Sequence, residues 1–251
     1  MSPWGRLAAA GLLLLVPAAA GCGSDGADGS RELTVLAAAS LTETFTALAA
    51  EFESDHPDVE VRLAFDSSAT LAEQAVGGAP ADVLATADTR TMDRAGQAQA
   101  AEPQVFATNE MVLVVPADNP AGVTGFADVA DGGTTYVVCV ETAPCGAVWA
   151  EIASDRGVRA EPASLEVDVK SVLAKVTSGE ADAGLVYATD AVAAGAQVRS
   201  FPVPGSQDHV TEYPVAPLLQ SDDLALAEEF VDLVLSERGR DVLDAAGFGA
   251  P

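Results

Sequence analysis

The sequence predicts an α/β protein built as two lobes with a ligand cleft between them, and three observations predict it. Strand-like apolar runs alternate with helix-like stripes, the signature of parallel βαβ units. That alternation occurs in two successive sets. Between the sets lies a longer apolar run, Glu110-Met111-Val112-Leu113-Val114-Val115, closed by Pro116, which reads as a strand passing from one lobe to the other.

The first 21 of the 251 residues carry Arg6 as their only charge, a short apolar stretch at 12–16, and small residues after it. This is the pattern of a secretory signal, too short to span a membrane. Ala19-Ala20-Gly21 ahead of Cys22 resembles a bacterial lipoprotein processing box, which implies cleavage before Cys22 and lipidation of that cysteine. The alternative is an ordinary secretory signal with an incidental cysteine. After Cys22, the stretch 23–30 holds only Gly, Ser, Asp and Ala, which cannot bury enough surface to order itself, so residues 22–30 read as a flexible tether.

The first alternating set then runs as a strand over 33–37, a helix over 41–54, a strand over 59–65, a helix over 70–76, a strand over 83–87 and a helix over 89–95. In its first helix Leu41, Phe45, Leu48, Ala49 and Phe52 share one face at helical spacing, a core-facing stripe. After the crossing at 110–115 and a loop at 117–124, the second set has strands at 136–140, 165–167 and 183–187, with helices at 147–155 and 169–178. The chain is extended again at 212–219, where Pro214 and Pro217 favour an edge strand or a connector. Two closing helices, 224–235 and 237–246, carry apolar stripes that are satisfied most simply by packing on the first lobe. The expected division is therefore residues 31–112 plus 212–251 in lobe 1 and 113–211 in lobe 2.

Thirty-eight acidic against 12 basic residues give a formal charge of −26. This disfavours nucleic acid and anionic lipid headgroups, both of which need clustered Lys or Arg. It does not demand a cationic ligand, because surface charge is screened beyond about 8 Å at physiological salt and a small buried anion responds to nearby dipoles. Cys139 and Cys145 stand close in a chain expected to be exported, which favours a disulfide over two buried free thiols. A metal site would need more ligands than these and the distant His56 and His209, which fall in loops and are expected to be solvated.

Two turns of the first set put a serine where a strand hands over to a helix: Ala37-Ala38-Ala39-Ser40-Leu41 and Asp66-Ser67-Ser68-Ala69-Thr70-Leu71. Such turns offer free amides and a hydroxyl, an anion site without a positive side chain. The second set supplies matching parts. Pro144 fits the first turn of a helix and Gly146 permits close backbone approach in Thr142-Ala143-Pro144-Cys145-Gly146-Ala147. Asp168 reads as an N-cap that leaves the Val169 amide free, and Gly184-Leu185-Val186-Tyr187 ends a strand in a phenol.

These segments, in this order and together with Gly78-Ala79-Pro80-Ala81-Asp82 and Asp190-Ala191, resemble the periplasmic molybdate-binding proteins of ABC transporters over about residues 33–248. The resemblance implies a two-lobed periplasmic-binding-protein-like fold of type II, with two crossing strands and no catalytic activity. It implies an oxyanion, molybdate or tungstate, held by the hydroxyls of Ser40, Ser68 and Tyr187 and the amides of Cys145 and Val169. Molybdenum is then bound only as the oxyanion, with no further cofactor. The partner is a membrane permease, the N-terminal lipid is the only membrane contact, and a monomer is expected on the outer face of the cell membrane.

Two points depart from the family pattern. Cys145 stands where alanine is usual, so its amide carries over and its thiol does not. Asp66 replaces a small neutral residue and brings a carboxylate to the site, unless it faces solvent or caps the turn. Two rivals stand beside this reading: the same fold binding sulfate or another small anion, and an exported hydrolase using Ser40 or Ser68. The hydrolase lacks a Gly-x-Ser-x-Gly elbow and a histidine in a motif context.

Overall fold

The structure, a computed structural model, describes residues 30–251. The signal segment and the lipidated Cys22 lie outside the described residues. The first sheet contains β1 (Arg31–Ala38), β2 (Val59–Asp66), β3 (Val83–Ala85), β4 (Gln104–Asn109) and β10 (Thr211–Pro217), in the order β2-β1-β3-β10-β4. Here β1 is parallel to β2 and β3, as the interleaved helices α1 (Thr42–Asp55) and α2 (Ser68–Val76) require, whereas β10 is antiparallel to both neighbours. The second sheet contains β5 (Met111–Pro116), β6 (Tyr136–Cys139), β7 (Ser164–Glu166), β8 (Ala183–Tyr187) and β9 (Val198–Pro202), in the order β7-β6-β8-β5-β9. The remaining helices are α3 (Thr89–Arg94), α4 (Phe126–Ala130), α5 (Pro144–Arg156), α6 (Val169–Thr177), α7 (Ala188–Ala194), α8 (Leu224–Leu235) and α9 (Glu237–Ala245).

Each half has its own aromatic packing. The expected stripe of α1 is buried, and Phe45 and Phe52 meet Phe230 of α8 with ring centroids 6.1 and 5.3 Å apart, which docks the C-terminal helices on the first half. In the second half Trp149 of α5 packs edge-on to Tyr136 and Phe126. Gly184 lets α6 lie close on β8, since a Cβ there would stand 2.8 Å from the Val172 and Val176 methyls.

The chain leaves the first sheet after Asn109, enters the second at Met111, and returns between Pro202 and Thr211. Met111 and Val112, expected in lobe 1, pair with Tyr187 and Val186 in the second sheet, and Thr211, expected in lobe 2, pairs with Asn109 in the first. β10 lies between β3 and β4 and is no edge strand. Its proline is accommodated by a bulge: pairing jumps from Tyr213 opposite Ala107 to Pro214 opposite Val105, so the missing N–H falls where the ladder is already interrupted. β4, β9, α4 and α7 are not among the elements that the sequence predicts. His209 is not freely solvated, since its ring nitrogens stand 3.2 Å from Glu151 and 3.0 Å from Asp155, and His56 stacks on Phe52 at 4.3 Å.

Candidate oxyanion-binding site

Ser40 sits in a short 3-10 turn between β1 and α1, and Ser68 is the first residue of α2. Cys145 and Val169 lie in the first turns of α5 and α6, where helix geometry provides no intrahelical acceptor for the amides. Tyr187 ends β8. All five line one small cavity where the two halves meet, with about 20 Å³ open to the centre of a water molecule, above the roughly 10–15 Å³ that one water needs. No Lys, Arg or His lines it among the described residues.

Local packing sets each donor. Proline at the first position of α5 needs no N–H partner, and Gly146 brings that helix end onto the end of β6, since a Cβ there would lie 1.9 Å from the Val140 carbonyl oxygen. A disulfide joins Cys139 to Cys145, so the Cys145 sulfur is occupied and its amide remains the group on offer. Asp168 caps α6 by accepting the Ser171 amide at 2.7 Å. Asp66 accepts the Ser67 amide at 2.6 Å, Ser67 precedes α2 without a side-chain cap bond, and Asp66 is one of the residues lining the cavity.

The hydroxyls are directional. Ser68 Oγ accepts the Ala87 amide at 3.0 Å, which leaves its hydrogen available to the cavity. Ser40 Oγ stands 3.0 Å from Tyr213 Oη. Tyr187 Oη is buried without a hydrogen-bond partner among the described residues. Burial raises the Tyr187 hydroxyl well above its ordinary value and raises Tyr213 likewise, so both phenols stay protonated donors.

Two acidic residues, Asp66 and Asp168, also line the cavity, each accepting a backbone amide of its own turn, and further charge stands behind this layer. Lys170, beside Val169, donates to both Glu43 carboxylate oxygens at 2.9 and 2.8 Å, tying α6 of one half to α1 of the other. Its Nζ also stands 3.2 Å from Asp190 Oδ1, an ion pair without directed hydrogen-bond geometry, and the Asp190 side chain is fully buried. Burial pushes the Asp190 carboxyl up to about 6 against the downward pull of Lys170 and the Tyr187 amide. Burial lowers the Lys170 ammonium, yet Asp190 and Glu43 outweigh this and hold it above its usual value.

Three hydroxyls and two helix N-termini, converging without a counter-cation, suit a small dehydrated anion with acceptor atoms on every side. Sequence reasoning missed Tyr213 and Asn109. Asn109 Nδ2 donates to Thr189 Oγ1 at 2.8 Å and to Tyr213 Oη at 3.3 Å. Nothing in the local sequence marks either residue, because their partners are 80 and 104 positions from Asn109.

A cleft between two α/β halves joined by two crossings, offering hydroxyl and amide donors with no cationic side chain among the described residues, defines a solute-binding protein of the type II periplasmic fold. Residues 33–249 match the family described as bacterial extracellular solute-binding protein, and the chain belongs to it. The molybdate-binding protein ModA of Mycobacterium tuberculosis is 40% identical over 248 residues, covering 95% of each chain. Among solved structures, the Azotobacter vinelandii periplasmic molybdate-binding protein superposes with a TM-score of 0.76 at 21% identity, covering 87% of this chain and 99% of that one. The sulfate-binding protein SubI of Mycobacterium tuberculosis superposes with a TM-score of 0.73 at 18% identity, covering 87% and 86%. These two likenesses show the fold alone, and the fold is compatible with either ligand named. The family is one of solute carriers rather than catalysts, which sets the hydrolase aside.

Proposed function

We propose that this protein captures molybdate or tungstate outside the cytoplasm and delivers it to the permease of an ABC transporter. The observation that carries the reading is the buried Tyr187 hydroxyl, without a hydrogen-bond partner among the described residues, in the same cavity as Ser40, Ser68 and the first-turn residues Cys145 and Val169. Molybdate and tungstate are fully deprotonated tetrahedral dianions near neutral pH, so they accept from every donor and need no acceptor in return. Helix N-termini contribute roughly 0.3–2 kcal/mol each and charge-assisted hydrogen bonds about 1.5–3 kcal/mol each, enough for sub-micromolar binding after dehydration of the ion. The 40% identity to a protein named for molybdate supports the same ligand.

On this reading lobe 1 contributes Ser40 and Ser68, lobe 2 contributes Cys145, Val169 and Tyr187, and the chain works as a monomer tethered through lipid on Cys22. The two crossings form the hinge, and the closed pair of lobes is what the permease reads. Calorimetric titration of the purified protein with molybdate, tungstate, sulfate and hydrogen phosphate tests it. Molybdate and tungstate should bind tightly and sulfate weakly; equal heats and affinities for sulfate and molybdate overturn the choice of ligand in favour of a general oxyanion carrier.

A further inference from the structure

The hydrogen bonds behind Ser40 run in one direction only. Asn109 Oδ1 accepts the Glu110 amide at 3.0 Å, which fixes the orientation of the side-chain amide and turns Nδ2 toward Tyr213 and Thr189. Nδ2 carries two hydrogens, one for Thr189 Oγ1 and one for Tyr213 Oη. Tyr213 Oη, accepting from Asn109, has a single hydrogen of its own, and its other polar partner among the described residues is Ser40 Oγ. Tyr213 therefore donates to Ser40, and the Ser40 hydrogen is left with the cavity as its destination.

Tyr213 is fully buried, with its ring edge-on to Phe106, Tyr187 and Phe248, so the phenol cannot swing away to free Ser40. The two relay residues also stand at the two crossings. Asn109 is the last residue of β4, where the chain leaves the first sheet, and Tyr213 lies on β10, just after the chain returns. Thr189, at the far end of the relay, belongs to α7 in the second half.

Resting on the proposed function, we propose that Tyr213 and Asn109 are positioning residues that fix the Ser40 hydroxyl as an obligate donor to the bound oxyanion. They touch no ligand themselves. Their effect passes through Ser40 alone; Ser40, Asn109 and Tyr213 all stand on the first half, and Thr189 of α7 is the one member of the relay from the second.

A double-mutant cycle read by molybdate titration tests this. Tyr213→Phe keeps the buried ring and removes the donor, and should weaken molybdate binding about tenfold in the wild-type background. In the Ser40→Ala background the same change should alter affinity less than about twofold, because the hydroxyl it directs is gone. Asn109→Ala, which releases Tyr213 from the other end, should show the same dependence on Ser40 with a smaller loss. Thermal unfolding without ligand checks that each variant is folded, and the Asn109→Ala cycle decides if Tyr213→Phe is not. Equal losses with and without the Ser40 hydroxyl, or no loss in either background, overturn the proposal. Failure of the wild-type protein to bind any tetrahedral oxyanion overturns the proposed function instead.

Discussion

Ser40, Ser68 and Tyr187 bring three hydroxyls to one cavity, but each is held differently. Ser68 is steadied by one backbone amide, Ser40 by a phenol, and Tyr187 by burial of its ring with the hydroxyl left bare. Ser40→Ala and Ser68→Ala should each weaken oxyanion binding by about 1–3 kcal/mol, read by calorimetry. Tyr187→Phe should cost binding a similar amount, yet leave the unliganded protein as stable or about 1 kcal/mol more stable in denaturant, because it removes a buried polar atom that has no partner there.

Asp190 gives the site a pH signature of its own. Its folded pKa of about 6 lies above the ordinary 3.8, so folding binds a proton more tightly than the unfolded chain does. The corresponding stabilisation is complete below about 3.8 and disappears as pH rises through about 6. Asp190→Asn should therefore gain stability relative to wild type as pH climbs from about 4 to 7, by up to about 3 kcal/mol. Denaturant midpoints at the two pH values check the sign.

At the scale of the element, the first turns of α5 and α6 bring Cys145 and Val169 to the cavity. Asp168 was readable as a cap and Val169 as the free amide behind it, since N-cap chemistry is local. The α5 turn needed more: Pro144 and Gly146 announce a tight helix start, while the Cys139 link pins that turn to the end of β6. Replacing both cysteines by alanine should lower stability by about 2 kcal/mol for so short a loop and loosen the Cys145 amide, read as a lower melting temperature with weaker binding. Elements with strong apolar periodicity, such as α1 and α8, were legible almost residue by residue. α7 was not, because Ala188-Thr189-Asp190-Ala191-Val192-Ala193-Ala194 carries no stripe. β9 pairs only with β5 at the sheet edge, and its alternation is weak. β10 was read as peripheral because proline lacks a donor; the bulge at Tyr213/Pro214 removes that objection in a way no local sequence rule reveals.

Across the whole molecule, the chain builds two mixed sheets and joins them at Glu110 and again between Pro202 and Thr211. The cavity lies where the halves meet, and the Lys170–Glu43 pair, outside its lining, joins α6 of one half to α1 of the other. Any ligand bound there adds stability by mass action, about 2.7 kcal/mol at a hundredfold excess over Kd, so the melting temperature should climb with molybdate concentration and respond little to sulfate.

By itself the sequence determined the α/β class, the two alternating sets and the separate turns that offer free donors, because strand periodicity, helix caps and strand-to-helix turns are written in neighbouring residues. The grouping of Ser40, Ser68, Cys145, Val169 and Tyr187 into one site came from the resemblance to molybdate-binding proteins. The tertiary structure alone decided that β10 sits inside its sheet, and that Asn109 and Tyr213 stand behind the Ser40 hydroxyl. Those outcomes depend on pairings between residues far apart in the chain. The direction of a buried hydrogen bond follows from what every neighbour has left to give or accept, and only the assembled fold fixes that.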